Sequence, residues 1–323
     1  VTDRNYRGRF APTPSGEMHI GNARTALLAW LDARSRGGTF ILRIEDIDRP
    51  RCKPHYYGLL MEDLRFLGID WDEGPDIGGP FGPYVQSHRL GDYEEALKRL
   101  MERNLLYPCY CSRAELLSIA SAPHGLAGEG PAYPGICRNL TDEERRERES
   151  RKSPSLRFRL PDRAVSFEDG AAGPQRFAPG AGGDFVVRRA DGIVSYQLAV
   201  VVDDAAMGVT DVVRGADLLD STPRQLFLFE ALGFAAPRYA HVPLLCGPDG
   251  KRLAKRHGAL SIRALRERGV RPETIVGAIA SVSGLHDRAE PIAARELIGR
   301  FRMEFVPKEP VIVDERWIAA LTG

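Results

Sequence analysis

Arg9-Phe10-Ala11-Pro12-Thr13-Pro14-Ser15-Gly16-Glu17-Met18-His19-Ile20-Gly21-Asn22 decides how the rest of the chain is read. The stretch Tyr6 to Ala11 reads as a strand, two prolines stiffen the turn after it, and helical spacing begins at Ala23 and runs to Arg34. A strand that passes through a tight turn into a helix aims the first helix N–H groups outward. Those groups and the helix dipole favour a phosphate, and Gly16 and Gly21 let the backbone approach it closely. His19 and Asn22 add side-chain donors at the same place. By itself a His-x-Gly is no more than a capped turn with a surface histidine, so the neighbouring segments must carry the rest.

Outward from that turn, strand and helix alternate. Thr39 to Glu45 reads as a second strand, and apolar residues share one helical face at Ala23, Leu27, Trp30 and Leu31, at Leu60, Leu64 and Leu67, and at Leu97, Leu100 and Met101. Short strands between amphipathic helices predict a parallel α/β sheet over residues 1–104. From Leu105 the character changes to clustered cysteines, a Gly/Pro/Ala loop, the charged run Asp142 to Lys152 and the Gly-rich stretch Gly170 to Gly183, which reads as an insertion over 105–195. The run Tyr196 to Val202 predicts a strand, and Leu226, Phe229 and Leu232 predict a helix, so residues 196–257 restore the α/β pattern. Residues 258–323 read as helical, with Ile275, Ile279 and Val282 on one face and a start at Pro272.

Bulk properties exclude several classes. No apolar run reaches the length of a membrane span and no secretory stretch opens the sequence, so a cytoplasmic protein that does not engage membranes is expected. Forty-five basic against forty-four acidic side chains leave +1 overall, so any nucleic-acid surface must be a local patch. Five cysteines are an odd number, which argues against a disulfide framework and leaves metal binding or burial. Cys109, Cys111 and Cys137 lie close enough in sequence for a zinc site, with His124 or Tyr133 as the fourth ligand. Cys52 and Cys246 read as incidental.

The opening motif resembles that of the class I aminoacyl-tRNA synthetases, His-Ile-Gly-His, and in particular the glutamyl-tRNA synthetases, in which it follows an Arg-Phe-Ala-Pro turn. Asn22 stands where the last histidine is usual; it can still donate an N–H but cannot carry a charge. Gly250-Lys251-Arg252-Leu253-Ala254-Lys255-Arg256-His257-Gly258 resembles the Lys-Met-Ser-Lys-Ser loop that closes on ATP phosphates, with Arg252 for the first lysine, Ala254 for the serine and Lys255 in the place of the second lysine. The resemblance extends to Arg43–Asp48, Tyr196–Asp204, Gly208–Leu219 and Thr222–Gln225. It implies a Rossmann-type catalytic domain with a zinc-bearing insertion and a short helical C-terminal region. It further implies that Arg9, Phe10, Ala11, Pro12, Thr13, Glu45, Tyr196 and Arg214 surround glutamate, and that His19, Gly21, Asn22 and Lys255 meet ATP with its Mg2+. Among these, Arg9 and Arg214 suit carboxylates, Glu45 the ammonium, and Tyr196 a pocket wall. For zinc, the resemblance selects Tyr133 beside the three cysteines.

About sixty-five residues follow the Lys255 loop, which ends at Gly258, too few for an anticodon-binding domain, and Arg214-Gly215-Ala216-Asp217-Leu218-Leu219 departs from the pattern of the full-length enzymes. Both features resemble the glutamyl-Q branch of the family. That branch implies activation of glutamate without tRNA and its transfer to queuosine in the anticodon of tRNA(Asp). Two other readings compete: a shortened glutamyl-tRNA synthetase that charges a 3′ end, and a non-catalytic tRNA-binding paralogue.

Overall fold

The parallel pairing expected at the N-terminus sets the architecture. A computed structural model describes residues 6–112, 115–116, 133–253 and 260–322. Strand β1 (Arg7–Phe10) crosses over through α1 (Ile20–Ser35) to β2 (Thr39–Leu42), and the two strands run parallel with Arg7 opposite Thr39 and Phe10 opposite Leu42. Ile20, Leu27, Leu28, Trp30 and Leu31 of α1 are all buried. A helix apolar on most of its circumference must be covered on both sides. Here strands β1 and β2 supply one cover, and residues of the C-terminal region, among them Ile275 and Ile279, belong to the same core.

Next come α2 (His55–Phe66), α3 (Leu90–Glu102), β3 (Leu106–Cys109), α4 (Asp142–Glu149), β4 (Ser155–Phe158), β5 (Val165–Asp169), β6 (Gly173–Phe177) and β7 (Phe185–Arg188). They are followed by α5 (Tyr196–Ala206), β8 (Asp211–Gly215), α6 (Thr222–Leu232), β9 (Arg238–Val242) and β10 (Leu245–Cys246), then α7 (Ile262–Glu267), α8 (Pro272–Ser281), β11 (Val311–Ile312) and α9 (Glu315–Thr322). The main sheet has the order β2-β1-β8-β9-β5-β6, parallel throughout except where β6 joins β5 antiparallel. A separate antiparallel sheet, β3-β4-β7, carries the cysteine cluster at its edge.

Three expectations change. Tyr196 to Val202, read as a strand, is the first part of helix α5. Its β-branched run suggested a strand, yet Leu198, Ala199, Val200, Val201 and Val202 are all buried, which a helix enclosed on every side achieves equally well. Within the stretch read as an insertion, β5 and β6 extend the main sheet, so only β3, β4 and β7 form the separate layer. Met101, grouped by spacing with Leu97 and Leu100, is exposed at the flank of the face that α3 buries. The charged run forms α4, whose Thr141 and Glu144 close a capping box.

Candidate active site

The carboxyl end of β1 and the start of α1 face a cavity of about 180 Å3. Arg9, Phe10, Ala11, Pro12, His19, Gly21, Asn22, Glu45, Tyr196 and Arg214 all line it, together with Arg252 and Leu253 at the near end of the basic loop. Thr13 lines the adjoining hollow, to which Pro12, His19, Asn22 and Arg252 also contribute. Residues from the opposite ends of the sequence reading thus share one space. Lys255 and Ala254 lie outside the described residues.

His19 sits at the N-cap of α1, and its Nδ1 accepts the N–H groups of Gly21 at 3.1 Å and Asn22 at 3.3 Å. The sequence reading turned those N–H groups toward a phosphate; instead the imidazole caps them. An accepting Nδ1 leaves the proton on Nε2, so the ring itself becomes a donor. A Cβ at position 21 would come within 3.0 Å of that ring, which is why glycine follows Ile20.

Beneath the cavity lies a buried charge network. Arg9 meets Asp204 through Nε and Nη2, each at 3.3 Å. Arg43, fully buried, joins Glu45 at 3.1 Å and Asp204 at 2.7 Å. Arg89 holds the neighbouring Asp203 at 2.7 Å, with Gln86 at 2.8 Å and the Tyr93 hydroxyl at 3.0 Å. Burial pushes the Glu45 carboxyl above its ordinary range, against the pull of Arg43 and Arg9. For Asp204 burial works the same way, but Arg9 and Arg43 outweigh it and hold the group below that range. Arg9 therefore enters the cavity already engaged by an internal carboxylate, which the sequence reading did not foresee.

Arg214, on β8, differs. It is 3% exposed, and among the described residues no carboxylate pairs with it. Its Nε donates to His241 Nε2 at 2.9 Å, Nη1 to Gln225 Oε1 at 2.8 Å and Nη2 to Thr222 Oγ1 at 2.8 Å. Asp169 lies one layer further back, 2.5 Å from His241 Nδ1. Burial lowers the His241 pKa, and Asp169 does not overcome it. A neutral ring also fits the geometry, because Nε2 must offer a lone pair to Arg214. Arg252 reaches across to Asp217 at the cavity wall.

The cysteine cluster forms a second site. The Sγ atoms of Cys109, Cys111 and Cys137 lie within 4.8 Å of one another, with Cys111 and Cys137 at 3.6 Å. The Tyr133 hydroxyl lies 3.4 Å from Cys109 Sγ and 3.8 Å from Cys111 Sγ, and accepts the Cys137 N–H at 2.8 Å. Ligand atoms on arms of about 2.3 Å around tetrahedral zinc are separated by about 3.8 Å, so this donor set fits the ion. Burial opposes ionisation of Cys109, but Tyr133 and Arg157 prevail and hold the thiol below its ordinary range. Burial, with Cys109 nearby, pushes Cys111 up to about 12, a cost that a bound cation would reverse. Gly183, at φ 66°, lets its loop pass Tyr133, where a Cβ would stand 2.9 Å from backbone. His124 lies outside the described residues.

Sequence reasoning gave no role to Arg43, Asp203, Asp204, Thr222 or Gln225, although each lies in a segment that the resemblance covers, and it did not reach Asp169 or His241. One signal was available: Asp203 and Asp204 end an apolar run, and carboxylates so placed require buried cations.

Residues 5–319 match the family described as tRNA synthetases class I (E and Q), catalytic domain. The chain is similar to a protein of Symbiobacterium thermophilum named glutamyl-Q tRNA(Asp) synthetase, 64% identical over 98% of each chain. It is 46% identical to a glutamate–tRNA ligase of Sulfurihydrogenibium, covering 97% of this chain and 66% of the relative. Among solved structures it resembles the glutamate-tRNA synthetase of Elizabethkingia anophelis at 30% identity and a TM-score of 0.84, over 97% of this chain and 68% of the other. No helix among the described residues is long and apolar enough to cross a membrane.

Proposed function

This chain belongs to the class I tRNA synthetases of the E and Q group, a ligase family, and on that premise we propose that it uses ATP to form glutamyl-adenylate without tRNA and then transfers glutamate to queuosine in tRNA(Asp). One observation carries the activation half: a single cavity joins Glu45 and the carboxylate-free Arg214 to the His19–Asn22 turn. Glutamate brings an ammonium and two carboxylates. Glu45 receives the ammonium; Tyr196 with Phe10, Ala11, Pro12 and Thr13 forms the wall.

The two carboxylates have different fates. The α-carboxylate attacks the α-phosphorus, pyrophosphate leaves, and the new mixed anhydride carries no carboxylate charge at that end. The side-chain carboxylate stays charged throughout. Arg214, which no carboxylate neutralises among the described residues, suits the permanent charge, and Arg9, already shared with Asp204, suits the transient one. A carboxylate is a competent nucleophile near neutral pH, so no general base is required. Catalysis reduces to alignment and to stabilising negative charge on the transferring phosphate, the work of His19 Nε2–H, Asn22 and Lys255, with Gly21 leaving room for the nucleotide to approach. Mg2+ accompanies ATP. Cys109, Cys111, Tyr133 and Cys137 would hold one zinc ion, and with every position filled by protein that ion would stabilise the fold of its layer.

The relative at 64% identity supports queuosine-bearing tRNA(Asp) as acceptor. The relative at 46% identity favours a competing reading, charging of a tRNA 3′ end. The test of activation is glutamate-dependent ATP–pyrophosphate exchange with no tRNA added. Exchange is expected, with aspartate a poor substitute because its shorter side chain cannot reach both sets of partners. Exchange that begins only on adding tRNA contradicts the proposal.

A further inference from the structure

Among the described residues the buried arginines in and beneath the cavity fall into two groups: Arg9 pairs with Asp204, Arg43 with Glu45 and Asp204, and Arg89 with Asp203, whereas Arg24, on Ser283 Oγ and the Pro243 carbonyl, and Arg214 meet no acid. Arg214 is held as firmly but by neutral acceptors only. His241 Nε2, Gln225 Oε1 and Thr222 Oγ1 take its N–H groups at 2.8–2.9 Å, the Leu218 carbonyl adds a longer contact at 3.4 Å, and the Tyr239 ring lies 4.8 Å from the guanidinium carbon. Thr222, Gln225 and His241 are each at most 1% exposed. A carboxylate in any of their places would bind the guanidinium more strongly, because its own charge would add Coulombic attraction to hydrogen bonds that the cation already assists. Stability alone would favour that exchange.

A further layer fixes the polarity of two of these acceptors, His241 and Gln225. Asp169 Oδ1 accepts backbone N–H groups of His241, Ala171 and Ala172 at 2.9, 3.0 and 2.8 Å, which sets its Oδ2 against His241 Nδ1 at 2.5 Å. With the ring proton directed to Asp169, Nε2 keeps its lone pair for Arg214. Gln225 offers Oε1 to Arg214 and donates Nε2 to Gln197 Oε1 at 2.9 Å; Gln197 in turn donates to Ser221 Oγ at 3.0 Å. Each amide is thereby locked in the orientation that accepts from the arginine. Among the described residues the acid of this assembly is Asp169, and it is kept a full imidazole away from the guanidinium.

We infer that His241, Gln225 and Thr222 are positioning residues that orient Arg214 without neutralising it, and that this uncharged cradle sets the preference for glutamate over its uncharged amide, glutamine. The inference rests on the assignment of Arg214 to the side-chain carboxylate made above. A cation with its charge unspent gains most from an anionic ligand and little from an amide of the same shape. The same cation already paired with an acid would discriminate poorly.

The test is ATP–pyrophosphate exchange on the whole protein, with kcat and KM for glutamate and the inhibition constant of glutamine as competitor, so that selectivity is read as the ratio of the two constants. Gln225→Glu and Thr222→Asp each set a carboxylate on Arg214 from a different position. Thr222 opens α6, where an acid is compatible with the helix dipole, so Thr222→Asp serves if Gln225→Glu does not fold. Each is expected to reduce selectivity at least about tenfold, chiefly through KM, with kcat at saturation changed less than about threefold. Gln225→Met, similar in shape and uncharged, removes an acceptor from Arg214 and should raise glutamate KM, yet keep selectivity within about threefold. Arg214→Gln separates the two claims and should abolish selectivity. If it does so while both acidic variants keep the wild-type ratio, the cradle has no such role and the inference falls, though Arg214 keeps its assignment. Equal losses in Gln225→Met and Gln225→Glu would also overturn it, by tracing the effect to packing. Wild-type selectivity in Arg214→Gln would overturn the assignment of Arg214 and the inference together.

Discussion

Asp204→Asn tests the charge network on which the pocket is built. Asp204 is 2% exposed, receives two hydrogen bonds from Arg9, each at 3.3 Å, and forms an ion pair with Arg43 at 2.7 Å. Asparagine keeps the volume but removes the charge, and its amide would turn an N–H toward a guanidinium. Arg43 would retain Glu45 and Asp203, the latter at 3.7 Å, whereas Arg9 would lose its internal acid. Removing one partner of a buried pair costs about 3–5 kcal/mol. At roughly 2 °C per kcal/mol for a chain this long, the melting temperature should fall by about 6–10 °C. The pH dependence carries the sign. Arg9 and Arg43 hold the Asp204 pKa below its ordinary value, so its contribution is complete above the unfolded pKa and disappears as pH falls through the folded one. The deficit of the variant relative to wild type should therefore narrow below about pH 4. Thermal melts at pH 7 and at stepped acid pH, with glutamate KM measured in parallel, provide the assay. A variant that melts within 2 °C of wild type at pH 7, or a deficit that persists unchanged into acid, would refute the reasoning.

Lys255→Ala should lower kcat for activation by at least about a hundredfold with little change in glutamate KM, because the lysine meets charge that develops during phosphoryl transfer; a raised KM with normal kcat would contradict this. Arg214→Ala should show the reverse emphasis, raising glutamate KM by about two orders of magnitude. Metal analysis should find one zinc per chain, lost or weakened in Tyr133→Phe and kept in His124→Ala; the opposite pattern would transfer the fourth ligand to the histidine. Asp63, wholly buried, makes no hydrogen bond through either oxygen, and burial raises its pKa to about 7 although Arg266 lies 3.5 Å away. Its protonated form suits the fold, so the contribution is present below the unfolded pKa and is lost as pH rises through about 7. Asp63→Asn should consequently gain on wild type between about pH 4 and pH 8, by roughly 1–3 kcal/mol, as denaturant titrations will show.

Much of this was legible before any coordinates. The βα turn at His19 and the parallel pairing around it follow from local patterning, and Cys109, Cys111 and Cys137 are close enough in sequence for their meeting to be expected. The segment Tyr196–Val202 was misread because an enclosed helix and an enclosed strand both present continuous apolar sequence; only the partners on each side distinguish them. Membership of β5 and β6 in the main sheet was hidden for a similar reason, since it depends on β9, some seventy residues later. The support of Arg214 is likewise non-local: Asp169, His241 and Gln225 come from β5, β9 and α6, and no spacing in the sequence joins them. Pocket-lining residues that sit next to motif residues could be found; those that hold them from behind could not.

The central claim is the destination of the activated glutamate, and labelled glutamate offered with ATP to tRNA(Asp) with and without queuosine, and to tRNA(Glu), tests it most directly. The account predicts label only on queuosine-containing tRNA(Asp), retained when the 3′-terminal nucleotides are removed and recovered with the anticodon fragment. It also predicts weaker labelling as salt rises, because with a net charge of +1 the complex must depend on a few local Lys and Arg contacts. Equal labelling of tRNA(Asp) lacking queuosine, or label confined to a 3′ end, would contradict the claim.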